Sequence, residues 1–190
     1  MSEDLDRALT LEEREFVVAH LARNRDRMLA AIDSLTQAQW NFKPDADTWS
    51  VAECCEHVVL VECMILQSVQ EAPELAELPD VAGKEQIILQ RVPSAKRKVT
   101  APEFARPNGR WVGGDDLTGA FASARQASIE FAAGSRDPLR WKVAPHFLLG
   151  LLDGYQWLIF MGSHCERHIR QVKAVKARPD FPGSLVPRKS

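Results

Sequence analysis

Apolar residues return at three- and four-residue intervals over four long stretches of the chain, the period of helices buried along one face. The first stretch opens on Thr10-Leu11-Glu12-Glu13, a capping box in which the threonine hydroxyl takes an orphan amide and Glu13 reaches back to the cap. It runs to about Leu35, with Val17, Leu21, Met28 and Ile32 on one side. The second opens on another capping box, Ser50-Val51-Ala52-Glu53, and lasts to about Glu71 with the stripe Cys54, His57, Val58, Val61, Met64, Ile65. The third begins near Asp115 or Asp116, carries Leu117, Phe121, Ala124, Ala127 and Phe131, and ends near Gly134. The fourth starts from a capping-box-like Asp153-Gly154-Tyr155-Gln156 and buries Leu158, Met161, His164/Cys165, His168/Ile169, Val172 and Val175. Between the second and third, Pro73, Pro79, Pro93, Pro102 and Pro107 interrupt any helix longer than a short candidate over residues 83–91, so a long crossover is expected there. No strand alternation or internal repeat is visible, and the pattern predicts an all-α protein.

Histidines inside these stripes change the picture, because an imidazole on a buried face needs a partner. His164 and His168 are spaced i, i+4, so both leave one face of the fourth helix a turn apart and can chelate one cation. His57 offers a third ligand from a facing helix, and three protein ligands would leave a fourth position open to water or substrate. Rival metal motifs fail on spacing. Ferritin-like di-iron sites need Glu three residues before His, where this chain has Cys54, Met161 and Cys165. The zinc-protease pattern needs Glu directly after the first His, where this chain has Cys165. No glycine-rich phosphate loop, nucleophile elbow or dinucleotide fingerprint is present.

With 190 residues, 45% of them hydrophobic, the chain can bury one sizeable core, read as one domain over residues 1–178 and a flexible tail over 179–190. A net charge of -2 excludes a nucleic-acid footprint, and the one tight basic run, Lys96-Arg97-Lys98, reads as a solvated loop. The acidic start Met1-Ser2-Glu3-Asp4 does not look like an export signal, and the most apolar stretch is broken by Asp153 and Gly154, so a cytoplasmic protein without a membrane span is expected. The four cysteines, two of them adjacent at Cys54 and Cys55, read as reduced, buried thiols.

Trp49-Ser50-Val51-Ala52-Glu53 leading to His57, then His146-Phe147-Leu148-Leu149-Gly150, Gln156-Trp157 and His164-x-x-Arg167-His168-x-x-Gln171, resemble the DinB-like superfamily, specifically its YfiT-like branch, over most of the chain. That resemblance implies a four-helix bundle of up-down-down-up connectivity, often dimeric. It also implies a divalent metal, zinc or nickel, held by His57, His164 and His168. The family includes thiol-dependent S-transferases and isomerases, metal-dependent hydrolases and members with no known activity, so the resemblance fixes the site better than the reaction.

Around the three ligands, Glu53 and Gln171 are helical neighbours of His57 and His168 and so candidates to brace them, although capping is the plainer role for Glu53. Trp49, Trp111 and His146 could line a pocket, Trp111 more simply as a loop anchor. A fourth protein ligand, from Cys54 or His20, would instead close the metal. Two classes therefore stand: an enzyme that activates a low-molecular-weight thiol or water at an open metal position, and a non-catalytic metal-binding stress or accessory protein, expected to be a homodimer.

Overall fold

The computed structural model describes residues 8–77, 79–95 and 100–183. The acidic amino-terminal run and the basic run over residues 96–98 lie outside the described residues. Helix α1 (Leu11–Ile32) is followed by a short helix α2 (Gln37–Trp40), then α3 (Val51–Glu71), α4 (Lys84–Ser94), a 3-10 turn (Glu103–Ala105) and α5 (Gly114–Gly134). The order ends with strands β1 (Val143–His146) and β2 (Gly150–Asp153) and helix α6 (Gly154–Lys176). Helices dominate, and α1 and α3 each pack against both α5 and α6, while α4 lies along α6. Among the described residues no helix is long and apolar enough to cross a membrane.

The start signals read from sequence form as hydrogen bonds. Thr10 with Glu13, Ser50 with Glu53 and Asp153 with Gln156 each make both halves of a capping box. α1 stops at Ile32 rather than near Leu35, because Ser34 adopts a left-handed backbone (φ 55°) and Thr36 then caps α2 through a fourth capping box, with Gln39. In the crossover, α4 continues past Arg91 to Ser94. Pro93 falls in its last turn, and the Ser94 hydroxyl donates to the Gln90 carbonyl at 2.6 Å.

The expectation of an all-α chain is corrected by the antiparallel hairpin β1–β2, paired from Val143↔Asp153 to His146↔Gly150. Each strand has four residues, too few for an alternating pattern to register. The turn is closed by the His146 Nδ1, which accepts the Leu148 and Leu149 amides at 3.1 and 3.2 Å, and by Gly150 at φ 71°. Asp153 is both the last residue of β2 and the cap of α6, so the hairpin sets where the histidine-bearing helix begins. Beyond α6 the expected fraying does not begin at Pro179. Phe181 is buried edge-on against Phe42, and the Gln39 amide donates to the Pro182 carbonyl at 2.9 Å.

Candidate metal centre

His57 from α3 and His164 and His168 from α6 converge, their candidate ligand atoms all within 4.8 Å of one another. The Nε2 of His164 lies 3.3 Å from that of His57 and 3.1 Å from that of His168. Ligands about 2.0–2.1 Å from a tetrahedral zinc ion stand about 3.3–3.4 Å apart, so this spacing fits a shared cation. His57 and His168 are buried, and His164 is partly exposed.

The outer nitrogen of His57 supplies a second test of fit, while the buried Nδ1 of His168 has no hydrogen-bond partner. His57 Nδ1–H donates to the Ala105 carbonyl at 2.7 Å. A carbonyl only accepts, so the proton sits on Nδ1 and the Nε2 lone pair faces the cluster, as metal ligation requires. Without a cation, the three inner nitrogens could be served together only by one His164 N–H shared, and so weakened, between the other two rings, since a neutral ring has a single N–H. A cation accepting all three lone pairs removes that weakness. Burial pushes the pKa of His57 down, against the pull of the Ala105 bond. Burial, with the neighbouring rings and Arg167, drives those of His164 and His168 well below the usual histidine value. All three are therefore neutral, ligand-ready rings at pH 7.

Of the other residues read from sequence, Trp49 packs on the site, its ring centroid 4.8 Å from that of His57 and 6.0 Å from that of His168. Gln171 accepts the Cys54 thiol at 3.8 Å, and its side chain pulls the His168 pKa up against the larger effect of burial. Glu53 serves the Ser50 cap and pairs with Lys43 at 2.8 Å. Trp111 is half-buried against the core around Val51 and Cys54. His146 is buried in the hairpin and is linked to the cluster by Phe160, whose ring lies 4.5 Å from His146 and stacks 5.5 Å from His164. Neither proposed fourth ligand joins the three. His20 bonds instead to the Ile159 carbonyl at 3.2 Å, and burial pushes the Cys54 thiol up to about 12.

A model of the DinB superfamily matches residues 20–172. The chain belongs to the DinB superfamily. The match takes in α3 and α5 whole and parts of α1 and α6, and it includes all three histidines. This DinB chain is also similar to an uncharacterized protein of Bacillus subtilis, YuaE, at 23% identity over 147 residues, covering 77% of this chain and 89% of that one. The search of solved structures returned no match.

One supporting residue escaped the sequence. Glu56, next to His57 on α3, is buried, and its carboxylate accepts the backbone amides of Asn108, Gly109 and Arg110 at 3.0, 3.0 and 3.3 Å. The Arg110 guanidinium adds a fourth bond at 3.1 Å. Although burial alone would raise its pKa, these bonds hold the Glu56 carboxyl below the usual carboxylate range. Glu56 lies off the apolar stripe of its helix, so no local signal marks it, and its partners, some fifty residues downstream, are invisible without the fold.

Proposed function

We propose that this DinB-superfamily chain is a metal-dependent enzyme in which His57, His164 and His168 hold a divalent cation, zinc or nickel, and a low-molecular-weight thiol is activated for transfer to an electrophile. The observation that carries this reading is the convergence of three neutral imidazoles at zinc-like spacing, with the His57 tautomer fixed from outside. A divalent ion with an open position supplies Lewis acidity that lowers the pKa of a bound thiol or water.

The choice of thiol over water rests on charge. Among the described residues the cluster contains three histidines and no carboxylate. The positive charge of Arg167 also reaches all three rings. A neutral ligand set beside a guanidinium favours an anionic partner for the cation. A thiol, with a pKa near 8.5, needs a far smaller shift to ionise than water does. Arg167, Arg170 and Gln171 also line an open surface cleft of about 340 Å³ against the end of α4, and none of the three histidines is among its lining residues. The four long helices α1, α3, α5 and α6 are read within this proposal as the family's up-down-down-up bundle, whose facing helices bring the ligands together.

Metal analysis of the purified protein is expected to give about one divalent ion per chain, and His168→Ala and His57→Ala are expected to lose most of it. Equal metal content in parent and variants would overturn the ligand assignment. In cobalt-substituted protein, a millimolar cellular thiol is expected to introduce a sulfur-to-metal charge-transfer band. No response to any such thiol, with cobalt present and solvent-accessible, would remove the S-transfer reading.

A further inference from the structure

The ring of His57 is aimed by a loop rather than by its own helix. The α3 backbone fixes where the side chain starts, but rotation about its bonds is limited by the Ala105 carbonyl on Nδ1. Ala105 belongs to the crossover between α4 and α5, in a 3-10 turn braced on its early side by Ala105 N–H to the Pro102 carbonyl and Arg106 Nε to the Ala101 carbonyl, both at 3.0 Å. On its late side the loop is held by Glu56. The turn at Gly109, with φ 76°, lets three successive amides point into one concavity, and the Glu56 carboxylate fills it. Arg110, bonded to that carboxylate, also donates to the Arg106 carbonyl at 3.3 Å and so links the two sides of the turn.

Burying a carboxylate is costly unless its oxygens are fully bonded, and an exposed polar residue could tether a loop without that cost. Here the buried tether sits one residue from the ligand whose tautomer the same loop fixes. The strap is thus pinned to α3 at two consecutive residues, to Glu56 by residues 108–110 and to His57 by Ala105. We infer that Glu56 is a positioning residue for the metal site: by anchoring the 105–110 strap it holds the Ala105 carbonyl on His57 and so presents the Nε2 lone pair to the cation. This rests on the metal-binding reading above and adds to it the element that sets the affinity of the site.

The test compares the full-length parent with Glu56→Gln, which keeps the shape but turns an amide NH2 toward N–H donors, and with Gly109→Ala, which strains the turn from the loop side without touching α3. Competition against a chromophoric chelator is expected to show zinc bound about 10- to 100-fold more weakly by Glu56→Gln, with a smaller loss in Gly109→Ala. In 15N-histidine-labelled protein, the His57 Nδ1–H resonance is expected to exchange slowly with water in the parent and fast in both variants, with or without zinc. Unchanged zinc affinity and an unchanged His57 proton in both variants would overturn the inference. So would weakened affinity with the His57 proton still protected, since the loss would then come from general destabilisation. A parent that takes up no zinc would overturn the metal reading, whereas the His57 proton in metal-free protein would still decide whether Glu56 controls that ring.

Discussion

At the scale of single residues, the charges that matter most are those that are buried. Arg125 on α5 is fully buried and forms a two-pronged pair with Glu62 on α3, at 2.6 and 2.8 Å, with a third bond to the Leu21 carbonyl of α1 at 3.1 Å. One guanidinium thus joins three helices. A buried pair is worth little net, because desolvation offsets its attraction, but a lone buried charge is strongly destabilising. Arg125→Met is therefore expected to cost about 3–5 kcal/mol by leaving the Glu62 carboxylate unpaired, and adding Glu62→Leu is expected to restore most of that. Urea denaturation of the two variants checks it, and equal loss in single and double variants would show that packing, rather than charge, explains the effect. The three histidines stood out in the sequence because each breaks an apolar pattern in a residue type with metal chemistry. Glu56, Glu62 and Arg125 lie off the stripes read from sequence, and their meaning lies in partners some fifty or more residues away.

At the scale of elements, α1 and α6 approach closely because Gly162 gives the His20 ring somewhere to lie. A Cβ at position 162 would meet the ring of His20 at 2.3 Å (Cδ2) and 2.4 Å (Nε2). Gly162→Ala must therefore push the ring away from the Ile159 carbonyl or spread the helices, and a loss of about 1–3 kcal/mol is expected from overpacking. Thermal or urea melts measure it, and a variant as stable as the parent would show that the ring relocates freely. The long helices were legible in the sequence since capping boxes and a 3.6 period are local signals, and the Thr36–Gln39 box of α2, just beyond the end read for α1 near Leu35, is as local a signal but opens a helix of only four residues. The hairpin was not legible. Its strands hold four residues each, Pro145 lies in one of them, and its turn depends on a side chain, His146, that the sequence offers as a pocket-lining residue rather than as part of a hairpin.

At the scale of the whole molecule, all five histidines of the chain are pushed toward the neutral form, which ties stability to pH in one direction. Burial, with Arg23 and Arg125 nearby, holds His20 at about 4 against the Ile159 bond, and burial alone holds His146 at about 4. The unfolded chain takes up these protons at about pH 6.5. Between about 6.5 and 4 the unfolded state thus binds more protons than the folded one, so stability rises with pH across that window. The contribution is fully present above 6.5 and is lost as pH falls toward 4, about 3 kcal/mol for each of His20 and His146. Glu13, Glu56, Glu85 and Glu166 have lowered pKa values despite burial, through arginine contacts or backbone amides, and their contribution is lost only at lower pH, below the ordinary glutamate value of 4.5. The first loss on acidification therefore belongs to the histidines. With metal removed by a chelator, the urea midpoint is expected to fall steeply from pH 6.5 to 5, before the carboxylates titrate, while the C2-proton resonances of His20 and His146 show no titration near 6.5. A midpoint unchanged from pH 7.5 to 5, or either resonance titrating near 6.5, would show that these rings take protons in the folded protein.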